Sequence, residues 1–69
     1  MKPFSPQEEK VARLIAAGMT NVEIAEVLEL ASQTVDSHVA GVKEKLGTRG
    51  IRETAIQCYL WDQANPCQQ

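Results

Sequence analysis

Two helix-start signals close together between Thr20 and Leu46 constrain the fold of this chain more than any other feature. Thr20 and Glu23 have the spacing of a capping box, in which each residue's side chain accepts from the other's backbone N–H. The helix that starts there is short, because its inner apolar positions end after barely two and a half turns. A second helical pattern begins only two or three residues later. The spacing therefore predicts helices over about residues 20–29 and 32–46, joined by a tight turn.

The second of these helices has a narrow apolar stripe at positions i, i+4, i+7 and i+11. The stripe consists of Val35, Val39, Val42 and Leu46. The opposite side carries small and polar residues, namely Gln33, Ser37, Ala40, Gly41 and Glu44. Gly41 inside a helix costs about 1 kcal/mol relative to alanine. Small residues on this outward side favour close approach to a partner.

Helices are also predicted on both sides of this pair. Ser5, Pro6 and Glu8 form a first capping box with proline at its usual first helical position, and Gly18 follows as a left-handed C-terminal residue. This pattern predicts a helix over about residues 6–17. A last helix is predicted over about residues 52–63, and the tail 64–69 is expected to fray after Asn65-Pro66. Residues 1–69 are thus predicted to be a single all-α domain of four helices.

The last helix is predicted to place Ala55, Ile56, Tyr59 and Leu60 on one face, with Cys58 elsewhere. Two interpretations of this stripe are open, packing within its own domain and contact with another chain. Ile56 and Leu60 fit both interpretations. Tyr59 and Trp61 favour contact with another chain, because both are unexpected inside so small a core.

Length and composition exclude several classes of protein. A domain of 69 residues buries only about 60% of its unfolded surface and is marginal alone, which a dimer would remedy. No apolar run is long enough to span a bilayer, and the polar start after Met1 lacks a secretory signal. We therefore expect a soluble, cytoplasmic protein with no membrane partner.

Catalysis and metal binding are not expected. Ser37 and His38 are neighbours in a predicted helix and point about 100° apart, so they cannot form a nucleophile and base pair. Cys58 and Cys67 have the spacing of neither a redox pair nor a zinc site, and we expect two unpaired thiols. The sequence predicts no enzyme activity, cofactor, metal or small-molecule ligand.

The chain resembles the LuxR-type, or GerE-like, helix-turn-helix domain of bacterial transcription factors over residues 4 to about 60. Each matching element alone is weak evidence for this family, but the register of all of them across four helices is specific to it. The elements are Phe4-Ser5, Glu8, Val11, Leu14, Ala17-Gly18-Met19-Thr20-Asn21, Glu23-Ile24-Ala25, Leu28, Thr34-Val35, His38, Val42 and Lys45-Leu46-Gly47.

The resemblance implies that the second and third helices form the helix-turn-helix and that the third enters the major groove of duplex DNA. By position, the residues facing base edges would be Asp36, Ser37, Ala40 and Gly41. Those near phosphates would be Thr20, Asn21, Thr34, His38, Lys45 and Arg49. Thr20 is also a helix cap, and His38 could instead be a half-buried packing residue. The fourth helix usually joins two copies, here through Ile56, Tyr59 and Leu60.

The chain departs from the family's pattern at several positions. Val22 and Asp36 stand where relatives usually carry lysine or arginine, and Gly41 stands where asparagine is common. Ala31 replaces the serine before the third helix, although Ser32 can take over the cap. The arginine and alanine that follow Lys-Leu-Gly are displaced by one residue, to Arg52 and Ala55.

Charge also departs from expectation, because the net charge is −2 whereas DNA-binding domains are usually basic. Residues 33–52 nevertheless carry a local charge of +2, from four cations and two carboxylates. This basic edge is interpreted as a phosphate clamp, the alternative being a solvated surface.

Two functions are consistent with the sequence. The first is a small transcriptional regulator that binds duplex DNA as a homodimer, and the Met1 start favours a complete short regulator over an excised domain. The second is a protein-interaction module that has lost its affinity for DNA and inhibits another LuxR-type regulator. Val22, Asp36 and Gly41 motivate the second function.

Overall fold

The computed structural model describes residues 3–66, which form four α-helices connected by short turns. They are α1 (Pro6–Ala16), α2 (Asn21–Leu28), α3 (Ser32–Leu46) and α4 (Ile51–Ala64). The prediction of an all-α domain with four helices is confirmed. Helix α4 continues to Ala64, into the tail expected to fray, because the Asn65 backbone N–H and Nδ2 each donate to the Trp61 carbonyl at 2.9 Å. The rest of that predicted tail, from Cys67 onward, lies outside the described residues.

Helices α1 and α2 begin at the predicted capping boxes. The Ser5 N–H donates to Glu8 Oε1 at 2.8 Å, and the Glu8 N–H donates to Ser5 Oγ at 3.2 Å. The same reciprocal pair joins Thr20 and Glu23, at 2.9 and 3.3 Å. Each box satisfies two backbone groups that the first turn would otherwise leave without a partner.

Helix α3 begins differently from the prediction. The N-cap residue is Ala31, which has no side chain that could cap, and Ser32 is already the first helical residue. The expectation that Ser32 takes over the cap is therefore wrong. The turn between α2 and α3 is short, and its last residue, Ala31, is extended with φ −69° and ψ 148°.

The turn between α2 and α3 contains an unusual backbone conformation. A glycine with a positive φ follows the end of α1 and of α3, namely Gly18 and Gly47, as predicted. Helix α2 instead ends at Glu29, whose φ of 57° and ψ of 43° are left-handed. The following Leu30 N–H donates to the Ala25 carbonyl at 2.9 Å, which closes the helix end. A side chain in this conformation costs about 1–2 kcal/mol relative to its normal region.

The core lies where α1 packs across α3 and α4, and α2 packs mainly on α3. Its buried apolar residues are Val11, Ala12, Ile15, Ile24, Ala25, Val35, Val39, Val42 and Cys58. The predicted stripe of α3 is thus confirmed, with Leu46 partly buried against the same cluster.

The buried side of α4 differs from the prediction. Its fully buried residues are Thr54 and Cys58, and Ala55 and Trp61 lie partly buried against the core. Ile56, Tyr59 and Leu60 are exposed. Cys58 lies on a different side of α4 from these three residues, as predicted. The expectation that Ala55 shares their face is wrong, because Ala55 packs against the core.

Two threonines secure the connection from α3 to α4. Thr48 and Thr54 are buried, and their hydroxyl groups lie 2.8 Å apart. Thr54 Oγ1 also donates to the Gly50 carbonyl at 2.7 Å. Both hydroxyl groups thereby have the hydrogen-bond partners that buried polar groups require.

Replacement of Glu29 by glycine should stabilise the protein. Glu29→Gly removes the side chain that makes the left-handed conformation costly, so we expect the free energy of unfolding to rise by about 1 kcal/mol. Glu29→Ala is the matched control, because it removes the same charge and keeps a Cβ. Urea unfolding followed by circular dichroism measures both. An equal effect of glycine and alanine would contradict the prediction.

Candidate nucleic-acid interface

Burial of Val35, Val39 and Val42 turns the opposite side of α3 toward solvent. Three of the four residues predicted to face bases, Asp36, Ser37 and Ala40, are exposed on α3. They lie in the first three turns of the helix, and recognition helices use their N-terminal residues for base contacts. Their contact with bases stays a prediction.

Gly41, the fourth of these residues, lies against α1. A Cβ added at Gly41 would approach Glu8 Oε2 to less than 3.0 Å, a distance that real Cβ atoms do not show. The structure therefore supplies an intramolecular reason for the glycine, namely room for the Glu8 carboxylate. The role of Gly41 toward bases stays a prediction.

Lys45, predicted to lie near phosphate, is engaged within the protein. Its Nζ pairs with Glu8 Oε1, the same oxygen that accepts from the Ser5 N–H. The Glu8 side chain is only 12% exposed in this position. The bond from Lys45, followed by that from Ser5, holds the pKa of Glu8 below its ordinary value. The Lys45 charge is thus compensated by a carboxylate that also caps α1.

Asn21 and Asp36 contact each other across the helix-turn-helix. Asn21 Nδ2 donates to Asp36 Oδ1 at 3.0 Å, joining the start of α2 to the second turn of α3. From the sequence, Asn21 was expected near phosphate and Asp36 near a base, and their mutual bond was not foreseen. Thr20 is exposed and caps α2, so its predicted capping role is confirmed.

The remaining residues predicted to lie near phosphate have different exposures. Thr34 and Arg49 are exposed, whereas His38 is half-buried. The partial burial agrees with the packing interpretation of His38 and leaves its role toward DNA a prediction. Among residues 3–66, the ion pairs are Arg13 with Asp62 and Lys45 with Glu8. Arg49 therefore has no carboxylate partner within the described part of the chain.

Helix α4 exposes a patch of three large apolar side chains. Ile56, Tyr59 and Leu60 are 60%, 52% and 54% exposed. They stand at i, i+3 and i+4, so they are neighbours on one side of the helix. The interpretation that Ile56 and Leu60 pack within their own domain is therefore wrong. We name these three residues the α4 patch.

Trp61 does not belong to this patch, contrary to the expectation from the sequence. It is partly buried against the core, and its ring meets Phe4 edge to face at a centroid distance of 5.0 Å. The Arg13 guanidinium carbon lies 4.6 Å above the ring, and Arg13 Nη1 donates to Asp62 Oδ1 at 2.5 Å. This cluster joins Phe4, just before α1, and Arg13, in the last turn of α1, to the C-terminal part of α4. No local sequence pattern marks it, because its members are distant along the chain.

The described residues offer little chemistry besides this surface. Within residues 3–66, no cluster of three or more potential ligands could hold a metal ion, and no helix is long and apolar enough to cross a membrane. Cys58 is an unpaired thiol in the core, and burial raises its pKa to about 11. Cys67 lies outside the described residues, so its predicted unpaired state stays a prediction.

The effect of Gly41→Ala on the free energy of unfolding should depend on Glu8. Alanine is favoured over glycine in a helix by about 1 kcal/mol, but in the native protein its methyl group must displace the Glu8 carboxylate. We expect Gly41→Ala to raise the free energy of unfolding by about 1 kcal/mol in a Glu8→Ala background and by clearly less in the native background. Urea unfolding of the native protein, the Gly41→Ala and Glu8→Ala variants and the double variant measures the difference. A Glu9→Ala background is the control, and an equal gain in all backgrounds would contradict the prediction.

Comparison with known proteins agrees with the four-helix geometry. Residues 2–58 match the family described as bacterial regulatory proteins, luxR family. The Fimbriae Z protein of Salmonella typhimurium is 45% identical over 51 residues, which are 74% of this chain and 24% of that protein. The transcriptional regulatory protein MctR of Rhizobium johnstonii is 44% identical over 57 residues, 78% of this chain and 27% of that protein.

The regulatory protein SdiA of Escherichia coli is a more distant relative, 32% identical over 56 residues that are 81% of this chain and 22% of that protein. The chain thus spans about a quarter of the length of these relatives. The matched residues include the helix-turn-helix and most of α4. The chain belongs to the LuxR family of bacterial regulatory proteins and is a helix-turn-helix domain of that family.

Proposed function

We propose that this protein is a transcriptional regulator that binds duplex DNA as a homodimer, with α3 in the major groove and the α4 patch between the two copies. The observation that carries the proposal is the exposed side of α3, which presents Asp36, Ser37 and Ala40 with no bulky side chain among them. A helix with this surface can approach base edges closely. The proposed compartment is the cytoplasm, where bacterial DNA lies.

Phosphate contacts in this proposal come from few groups. Arg49, between α3 and α4, and Arg52, in the first turn of α4, are exposed. They have no carboxylate partner among residues 3–66. The start of α2 adds backbone N–H groups and the positive end of a helix dipole beside Thr20 and Asn21. Lys45 contributes little, because Glu8 already compensates its charge. The proposed complex therefore depends on a small number of cations.

The α4 patch supports the homodimer. Exposed apolar side chains that adjoin one another mark interaction surfaces more often than scattered ones do. Three such side chains on one helix are self-complementary when two copies meet around a two-fold axis. A tyrosine among them is the residue type that commonly anchors interfaces.

A second candidate function is a protein-interaction module that pairs through the α4 patch with another regulator of this family and blocks it. The observation that favours it is the charge of the α3 surface, because Asp36 is the only charged residue among the four predicted to face bases. A carboxylate there is repelled by phosphate. This function requires the α4 patch and does not require Arg49.

The salt dependence of DNA affinity should decrease when Arg49 is removed. We expect the native dimer to bind mixed-sequence duplex DNA with an affinity that falls as salt rises, measured by fluorescence anisotropy. Arg49→Ala removes one phosphate contact from each copy, so the slope of log affinity against log salt should fall by about 2 for a dimer. Lys45→Ala should change the slope less.

Lys10→Ala is the control for that measurement, because Lys10 is an exposed cation beside the C-terminal end of α4. It should leave the slope unchanged. A folded protein that binds no duplex even at low salt would overturn the DNA-binding proposal and favour the interaction module.

Dimerisation should depend on Leu60. Leu60→Glu places a charge in the centre of the proposed contact, so we expect it to convert a dimer into a monomer. Light scattering over a range of protein concentrations measures the mass. Val27→Glu is the matched control, since Val27 on α2 is also exposed, at 55% against 54% for Leu60. A native protein that stays monomeric at high concentration would contradict the proposal.

A further inference from the structure

The carboxylate of Asp36 occupies a defined position on the solvent side of α3. One of its oxygens, Oδ1, accepts from Asn21 Nδ2 at 3.0 Å, and Asn21 stands at the first position of α2. Asn21 therefore restrains the carboxylate and leaves Oδ2 without a hydrogen-bond partner among residues 3–66. Asp36 has no ion pair within that range either. Because Asp36 is exposed, water can satisfy Oδ2 in the free protein, and the same oxygen is available to a donor from a partner.

We infer that Asp36 is a specificity-determining residue that accepts a hydrogen bond from the exocyclic amino group of a cytosine in each half-site. The inference rests on the proposed DNA-binding function. A carboxylate is an acceptor only, and it has no hydrogen atom to donate. In the major groove, the N4 amino donor of cytosine has an acceptor on one side only, the O6 of the paired guanine.

The other three bases fit this carboxylate less well. Guanine presents two acceptors, O6 and N7, and thymine presents the acceptor O4. Adenine has an amino donor, but that donor lies between two acceptors, its own N7 and the O4 of the paired thymine, and both repel a carboxylate. Asp36 thus selects cytosine by attraction and disfavours the alternatives by repulsion.

The uncharged side chains next to Asp36 on α3 strengthen the selection of cytosine. Ser37 and Ala40, the exposed neighbours of Asp36 on α3, are uncharged, so no side chain there compensates the carboxylate. Compensation comes from the Asn21 amide and from a donor supplied by the DNA. A duplex without that donor leaves the carboxylate desolvated and half-satisfied, which costs affinity.

The test begins with selection of bound duplexes from a random library by the native protein, followed by sequencing. We expect one enriched cytosine in each half-site. That cytosine is then replaced by 2-pyrimidinone, which lacks only the amino group. Native protein should lose about tenfold in affinity for each half-site changed, measured by anisotropy.

Two variants of Asp36 and one control variant make the assignment to Asp36. Asp36→Ala should lose the response to 2-pyrimidinone, whereas Glu26→Ala, which removes an exposed carboxylate from α2, should keep it. Asp36→Asn should shift the selected base from cytosine to adenine, because asparagine can donate to N7 and accept from N6. A gained preference cannot arise from a loss of folding.

The contrary outcomes separate failure of the inference from failure of the proposed function. Duplex binding without an enriched cytosine, or with 2-pyrimidinone fully tolerated, overturns the inference and leaves the proposed function standing. A loss of affinity in Asp36→Ala that is equal for all duplexes, with the response to 2-pyrimidinone intact, would mean that Asp36 only joins α2 to α3. A native protein that binds no duplex overturns the proposed function and the inference together.

Discussion

The rest of the structure depends on the burial of Val35, Val39 and Val42 along one side of α3. These three side chains fill the space between α1 and α2, and they fix the rotation of α3 about its own axis. A rotation by one residue, about 100°, would bury Asp36 and expose the valine stripe. The side of α3 that faces solvent is therefore determined by the hydrophobic effect. The polar residues of that side contribute little to this choice.

The intramolecular ion pairs change the charge that the molecule presents. The sequence places four cations between residues 33 and 52, but Lys45 pairs with Glu8, which lies outside that segment. Glu8 serves three neighbours at once, because it caps α1, compensates Lys45 and occupies the space that Gly41 leaves open. A local charge sum overestimates the cations available to a partner when a distant carboxylate folds against one of them. The weak electrostatics of the proposed complex would make it sensitive to the fit of α3 in the groove.

Local signals predicted the helices well, because capping boxes, terminal glycines and apolar stripes act over a few residues. The two capping boxes, Thr20 with Glu23 and Ser5 with Glu8, could be identified from local sequence alone. The side of α4 that is buried depends instead on where α1 crosses it, so Ala55 and Trp61 were assigned incorrectly and Cys58 was not identified as a core residue. The close approach of Glu8 to Gly41 and the bond from Asn21 to Asp36 likewise join residues far apart in sequence. The sequence predicted which side of α3 faces solvent, but it did not predict the contacts among the residues of the candidate interface.

Folding, pairing and DNA binding are linked in the proposed function. A domain of this size has a small core and a small free energy of unfolding, and the left-handed Glu29 in the helix-turn-helix lowers that free energy further. Burial of the α4 patch in a dimer would add stability that a monomer lacks, and a duplex with two half-sites would stabilise the dimer further. Because each association favours the folded state, the occupancy of a two-half-site duplex in the proposed complex would rise steeply with the concentration of this domain.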